Sequence, residues 1–238
     1  MIGTDDRATS LPFYPVFLSL KSRTCLVVGG GEVGERKVRG LSASGARIRI
    51  VAASLTEWLQ LQVAQGFVDH VSRSFKEEQL DGIDLVFAAT SDRQLNRNIA
   101  MEAHKRRLWC NMATDPEEGS FVLPAVFQRG PLTVAVGTSG ASPAIARQIK
   151  QKLEAEFDNA WILLLELMGA LRGIIQSKGL DSSANQLLFR QLAGLPLLDW
   201  IRSGDREVLV RSVCSVCHPH VSEEEMNRTW DKVWKAFS

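Results

Sequence analysis

The sequence is short of cysteine. Four residues in 238, at positions 25, 110, 214 and 217, are too few and too scattered for the disulfide framework of a small secreted domain. It is almost without net charge, since 28 Lys and Arg against 27 Asp and Glu leave +1. That balance gives no global argument for nucleic acid or a membrane surface, so any basic site must be local. No apolar run approaches the roughly 20 residues that span a bilayer. The longest, Trp161 to Met168, is interrupted by Glu166 and reads as a buried or interface helix. Met1 to Pro12 carry Asp5, Asp6 and Arg7 without an apolar stretch, which is not the pattern of an export signal. Cys25 and Cys110 fall inside expected strands and read as buried, reduced thiols. The expectation is a cytoplasmic protein with neither nucleic acid nor membrane as partner.

What is present is an alternation of short β-branched runs with helical segments. Strands are expected at Arg23–Val28, Arg47–Ala52, Asp69–Ser72, Leu85–Ala89 and Trp109–Met112. Helices are expected at Val33–Ser44, Leu55–Gln65 and Gln94–Arg106, with Gly45 and Gly66 as stops. This order predicts an α/β fold with a parallel, doubly wound Rossmann-type sheet over residues 13–113. A central α+β segment follows over 114–156, with strands at Ser120–Pro124 and Thr133–Val136 and a helix from Ser142 to about Glu156 that begins near Pro143. Residues 157–238 read as a helical domain broken at Gly179-Leu180 and Gly194-Leu195-Pro196. Within it, Asp158–Ser177 is apolar on more than one face, as in a helix packed on two sides.

The most informative stretch is Gly29-x-Gly31-x-x-Gly34, directly after the apolar run Cys25-Leu26-Val27-Val28. A strand, a glycine turn and a helix are what a dinucleotide site requires. Gly29 permits the turn, Gly31 lets the backbone approach a pyrophosphate, and Gly34 lets helix and strand pack closely. The helix N-terminus then offers free N–H groups to the anion. One element is missing. The end of the second strand reads Val51-Ala52-Ala53-Ser54, with no carboxylate for an adenosine ribose. Either this is no NAD site, or Ser54 and nearby backbone do the binding, and NAD and NADP are not distinguished here.

The chain resembles the siroheme synthase N-terminal family of precorrin-2 dehydrogenases and sirohydrochlorin ferrochelatases. The resemblance rests on Tyr14 to Leu20, Cys25 to Val38, Ala88 to Asp92 with Asn96, Cys110-Asn111, Ser120 to Ala125, and Leu132 to Ala144 with Arg147. It implies NAD-dependent oxidation of precorrin-2 to sirohydrochlorin, Fe2+ as a possible chelation substrate, and a homodimer formed through the central segment. It puts Glu32, Val33, Ala53, Ser54, Ala89 and Thr90 beside the cofactor. It puts the turn Thr138, Ser139, Gly140 and Ser142, with Arg147, beside the substrate. Precorrin-2 carries eight carboxylates and so calls for cations and N–H donors. Arg147 and Lys150 are candidates, while Arg36, Lys37 and Arg39 are read as facing solvent or a partner subunit.

The informative departure is Thr114. Relatives commonly carry there an aspartate proposed as catalytic acid-base, and here the carboxylate comes one residue later, at Asp115. Dehydrogenation removes a proton with the hydride, and metal insertion releases pyrrole protons, so both gain from a placed base. Three accounts stay open. Asp115 reaches the same point through a shifted turn, or the chain is a dehydrogenase that hands its product to a separate chelatase, or it is an inactive, binding-only relative. A tetrapyrrole-binding or chelatase-only protein with a vestigial NAD site stands as the alternative function. The tail Cys214-x-x-Cys217-His218-Pro219-His220 is read first as a helix-to-helix turn. A zinc or iron site and a c-type haem attachment are its alternatives.

Overall fold

A computed structural model describes residues 13–237; the reading of Met1 to Pro12 as no export signal lies outside them. The chain forms two compact units, one ending at Leu123 and the other beginning at Pro124.

The first unit is a five-stranded parallel sheet of β1 (Thr24–Val28), β2 (Arg47–Val51), β3 (Val68–Ser72), β4 (Leu85–Ala88) and β5 (Trp109–Met112), in the order β3-β2-β1-β4-β5. The order turns back at β1, so β1 and β4 form the switch point whose carboxyl ends open a crevice for a ligand. Helices α1 (Glu32–Ser42) and α2 (Glu57–Ala64) pack Val38, Leu41 and Leu59 with Cys25, Val27, Ile48, Ile50 and Phe87 in one buried cluster. Helix α3 (Arg93–Lys105) packs Ile99, Ala100 and Ala103 with Leu26, Val28, Val86 and Met112 in another. The alternation of side chains along each strand assigns one set to each cluster. Because both sets are apolar, these strands read as continuous hydrophobic runs.

The second unit pairs β6 (Ala125–Arg129) antiparallel with β7 (Leu132–Val136) and continues through α4 (Pro143–Glu156), α5 (Ala160–Ser177), α6 (Ser182–Ala193), α7 (Leu197–Ser203), α8 (Arg206–Cys217) and α9 (Glu223–Phe237). Its core forms on one stripe of α5. Leu163, Leu167, Leu171 and Ile175, four residues apart, are buried with Leu209, Val213, Met226 and Trp230. Each such side chain contributes about 1.5–3 kcal/mol by burial. Helix α5 has the length and composition of a membrane span, but its buried stripe belongs to the core of this unit. Beyond that stripe the helix also meets the hairpin, in keeping with the expected two-sided packing: a Cβ at Gly130, in the turn between β6 and β7, would lie 2.6 Å from Ile162 Cγ2. Trp161, Ile162, Leu164 and Leu165 are partly covered.

Two expectations need correction here. The strand expected at Ser120–Pro124 is irregular, and the strand starts at Ala125. Residues 120 and 121 are instead tied sideways to β5. Ser120 N–H donates to Cys110 O (2.7 Å), Cys110 N–H donates to Ser120 Oγ (3.2 Å), and Asn111 Nδ2 donates to Phe121 O (3.0 Å). A further helix break, unforeseen, falls at Gly204-Asp205, where Gly204 takes a left-handed φ of 74° and ends α7.

Candidate active site

The glycine loop leaves β1 at Gly29, whose φ of +119° is one that L side chains rarely adopt. A Cβ there would lie 2.3 Å from Ala89 O, so the loop presses against the end of β4. At Gly34 a Cβ would lie 2.0 Å from Gly29 O, and at Gly30 it would lie 2.2 Å from Ser54 O. Three loop glycines are therefore demanded by the protein's own packing. Gly31 is different. A Cβ there would meet nothing within 4 Å. Its backbone is extended (φ −82°, ψ −171°), and as N-cap of α1 it supplies no side-chain bond to the first-turn N–H groups. The chain leaves there an open cradle with free donors at a helix N-terminus, the shape and polarity that a pyrophosphate fits. The part of Gly30 was not foreseen, although a third consecutive glycine beside the fingerprint was there to be read.

At the end of β2, Ala53 and Ser54 are exposed and no carboxylate occupies residues 51–55. The loop that follows is braced from α1. Thr56 caps α2 and donates its hydroxyl to Glu35 Oε2 (2.6 Å), and its N–H donates to Gly30 O (3.0 Å). That hydroxyl, then Arg39, holds the Glu35 carboxyl below its ordinary value. Arg39 also lies over the Trp58 ring at 3.9 Å. Lys37, expected to face solvent or a partner subunit, is not fully exposed in the single chain. It is half-buried, desolvation draws its pKa down, and it has no carboxylate partner among the described residues.

At the ends of β4 and β5 lies a polar cluster. Ala89 is buried and Thr90 half-buried, and Glu32 and Val33 open α1 beside the loop. Asn96, fully buried on the first turn of α3, accepts from Thr90 N–H (3.1 Å) and Thr90 Oγ1 (2.7 Å). It donates to Thr90 O (3.0 Å) and Thr114 Oγ1 (3.5 Å). Thr114 and Asp115 follow β5, and Asp115 is the N-cap of a short 3-10 helix, Pro116–Glu118. Asp115 Oδ2 is buried without a hydrogen-bond partner, as is Asn111 Oδ1 on β5.

In the second unit the turn after β7 closes on itself. Ser139 and Gly140 both take positive φ (49° and 84°). Thr138 Oγ1 donates to Ser142 O (3.1 Å) and accepts from Ser142 N–H (3.2 Å). Ser142 in turn caps α4 through Ile145 N–H (3.2 Å). The Thr138 hydroxyl is thus spent on the turn. Arg147 is exposed and without a carboxylate partner among the described residues, whereas Lys150 is paired with Glu154.

The tail candidates separate. Cys214 and Cys217 lie on the last turn of α8, Cys217 is buried in the helical core, and His218 falls past the helix end. Among the described residues no group of three or more His, Cys, Asp or Glu side chains is gathered to hold a metal. The zinc or iron alternative lacks its ligand set, because a helical i, i+3 pair with one thiol turned inward cannot close a tetrahedron. Burial pushes the Cys25, Cys110 and Cys217 thiols up to about 11, so they are not nucleophiles near neutral pH.

Two family models match, one described as putative NAD(P)-binding over residues 16–125 and one as sirohaem biosynthesis protein central over residues 129–156. Siroheme synthase 1 of Serratia proteamaculans is 42% identical over 168 residues, covering 71% of this chain and 35% of that protein. Siroheme synthase of Chromobacterium violaceum is 34% identical over 195 residues, covering 82% of this chain and 42% of its own length. The chain thus spans about two fifths of the curated relatives it matches. A solved structure of SirC, precorrin-2 dehydrogenase, superposes with a TM-score of 0.70 at 26% identity, covering 94% of this chain and 100% of the other. With a switch-point crevice, a ligand-shaped glycine loop and matches that run from the sheet through α4, the chain belongs to the siroheme synthase N-terminal family.

Proposed function

We propose that the chain is an NAD-dependent precorrin-2 dehydrogenase, forming sirohydrochlorin on the route to siroheme. The observation that carries this reading is Gly31, the one fingerprint glycine that the protein's packing does not need. NAD supplies the hydride acceptor. The chain's own part is to hold the pyrophosphate on the α1 N-terminus, with Gly29, Gly31 and Gly34 shaping the loop and Glu32 and Val33 beside it. Ala53 and Ser54 serve the adenosine end, and Ala89 and Thr90 support the nicotinamide end. The proton lost with the hydride needs an acceptor, and Asp115 is the carboxylate at the β5 end that has an unpaired oxygen. In the second unit taken by itself, Arg147 is exposed and without a carboxylate partner among the described residues, which suits it to a substrate carboxylate. Ser139 and Gly140 shape the turn before it, and Thr138 and Ser142 lock that turn.

The test is anaerobic incubation of the protein with precorrin-2 and NAD, following NADH and the sirohydrochlorin spectrum, then addition of Fe2+. NADH formation supports the dehydrogenase, and its absence removes it in favour of a binding protein. A siroheme spectrum above the uncatalysed rate assigns chelation to the same chain. Without it, sirohydrochlorin passes to a separate chelatase. A homodimer goes with this reading, supported by exposed apolar residues Val126, Ile145 and Ile149 on β6 and α4, and sedimentation equilibrium measures it. A cytoplasmic setting also goes with it, supported by four free cysteines.

A further inference from the structure

The orientation of the Asn96 side chain decides what Thr114 can do. Asn96 faces both backbone groups of one residue, Thr90 N–H at 3.1 Å and Thr90 O at 3.0 Å. A backbone N–H can only donate and a carbonyl can only accept, so Oδ1 must face the first and Nδ2 the second. Turning the amide over would set donor against donor and acceptor against acceptor in a side chain that is fully buried. The Asn96 atom facing Thr114 Oγ1 is therefore the N–H2 group, at 3.5 Å a long and weak hydrogen bond. At Thr114 the hydroxyl oxygen is the acceptor, and its own hydrogen points away from Asn96. No other hydrogen bond of that hydroxyl exists among the described residues, so its proton is uncommitted. Thr138 differs in this respect, since its proton is already donated to Ser142 O.

We infer that Asn96 is a positioning residue that presents Thr114 as a hydrogen-bond donor to a carboxylate of the bound tetrapyrrole. Thr114 is thus a binding residue and not a base, and the proton-accepting role is left to Asp115. Asn96 meanwhile holds Thr90, at the strand end against which the glycine loop packs. One buried amide sets both the cofactor-side backbone and the polarity of the substrate-side hydroxyl. This rests on the dehydrogenase reading above, because it takes precorrin-2 as the ligand.

The experiment measures KM for precorrin-2 and, separately, Kd for NAD by fluorescence titration without turnover. Thr114→Val removes the hydroxyl at nearly constant volume and is expected to raise KM for precorrin-2 about tenfold, the scale of one hydrogen bond to a charged group. NAD Kd stays unchanged, and Thr114→Ser restores the wild-type KM. Asn96→Asp puts an acceptor where the donor stood, draws the Thr114 proton inward, and is expected to raise KM as Thr114→Val does. In the double variant the second change then adds nothing, which a merely structural role for Asn96 would not produce. An unmoved KM in Thr114→Val, or effects of the two changes that multiply, overturns the inference. Should Asn96→Asp fail to fold, the Val and Ser pair at position 114 still decides. Wild-type protein that forms no NADH defeats the dehydrogenase reading and this inference with it. Wild-type turnover with Thr114→Val unchanged defeats the inference alone.

Discussion

The two units treat their loop residues in opposite ways. In the second, the turn from Thr138 to Ser142 satisfies itself, with both ends of one hydroxyl used and the serine committed to capping α4. In the first, the loops at the carboxyl ends of β1, β4 and β5 pack tightly yet leave particular groups unmet. These are the open face of Gly31, the proton of Thr114 and the buried Oδ2 of Asp115. A folded chain normally pairs its buried polar groups. Among the described residues the side-chain exceptions are one oxygen on α6, Asn185 Oδ1, and two at the β5 end, Asn111 Oδ1 and Asp115 Oδ2. The pair at β5 is where a ligand has groups to meet. Burial and motif membership alone do not separate the two threonines. The direction of their hydrogen bonds does.

The sharpest way to break that comparison is within the glycine loop itself. Gly31→Val adds a side chain in open space on an extended backbone. It is expected to leave the thermal midpoint unchanged and weaken NAD about a thousandfold, as two charge-assisted bonds are lost. Gly34→Val, three residues on, would drive a side chain into Gly29 O and is expected to lower the midpoint instead. Equal stability losses in both variants would show that Gly31 is as structural as its neighbours.

The next test concerns the unpaired carboxylate. Asp115→Asn keeps the shape of the turn and removes the base. The expected result is a fall in kcat of about a hundredfold with NAD affinity retained, measured by initial rates and titration. A wild-type rate would leave the orphan oxygen of Asp115 without a part in proton transfer.

How much of this was legible beforehand follows from what each feature depends on. The sheet, its helices and the glycine loop are local patterns of period and turn chemistry, and β5 at Trp109–Met112 agrees with its expected bounds to the residue. Ser120–Pro124 has the β-branched and aromatic look of a strand. It is not one because Asn111 and Cys110, ten residues earlier, take up its polar groups, and no local window contains both partners. The break at Gly204-Asp205 is a local pattern too, a glycine stop before an acidic helix start. In the site, the glycines could be named from their spacing, and Asp115 only from the resemblance, as the carboxylate next to Thr114. The role of Asn96 could be named from neither, because it depends on both backbone groups of Thr90 and on a turn 18 residues away.

A smaller effect probes the second unit's turn. Thr138→Val deletes two hydrogen bonds that hold the turn before α4 and is expected to cost about 1–2 kcal/mol of stability, read by urea unfolding. NAD Kd should not move, because the hydroxyl lost was already spent within the turn. A changed Kd would mean that this turn is not self-contained, and the contrast with Thr114 would collapse.

The smallest effect per group comes from the buried thiols, Cys25 and Cys110 in the first unit and Cys217 in the second. Each is raised by burial from about 9 in the unfolded chain to about 11 when folded. The folded state therefore holds its proton more tightly, so the contribution is complete below pH 9 and is lost as pH rises towards 11. By pH 10 each thiol is expected to have forfeited about 1 kcal/mol. Half-buried Lys37, drawn the other way, acts with opposite sign, so the wild type alone does not isolate the thiols. Comparing unfolding at pH 8 and pH 10 for Cys110→Ala and Cys217→Ala against wild type removes that background. Each variant should lose stability at pH 8 through its cavity yet show a shallower decline to pH 10. If only one variant flattens the decline, the thiol in the other unit reaches solvent before its unit unfolds. The difference would then rank the two units by how easily each opens at alkaline pH.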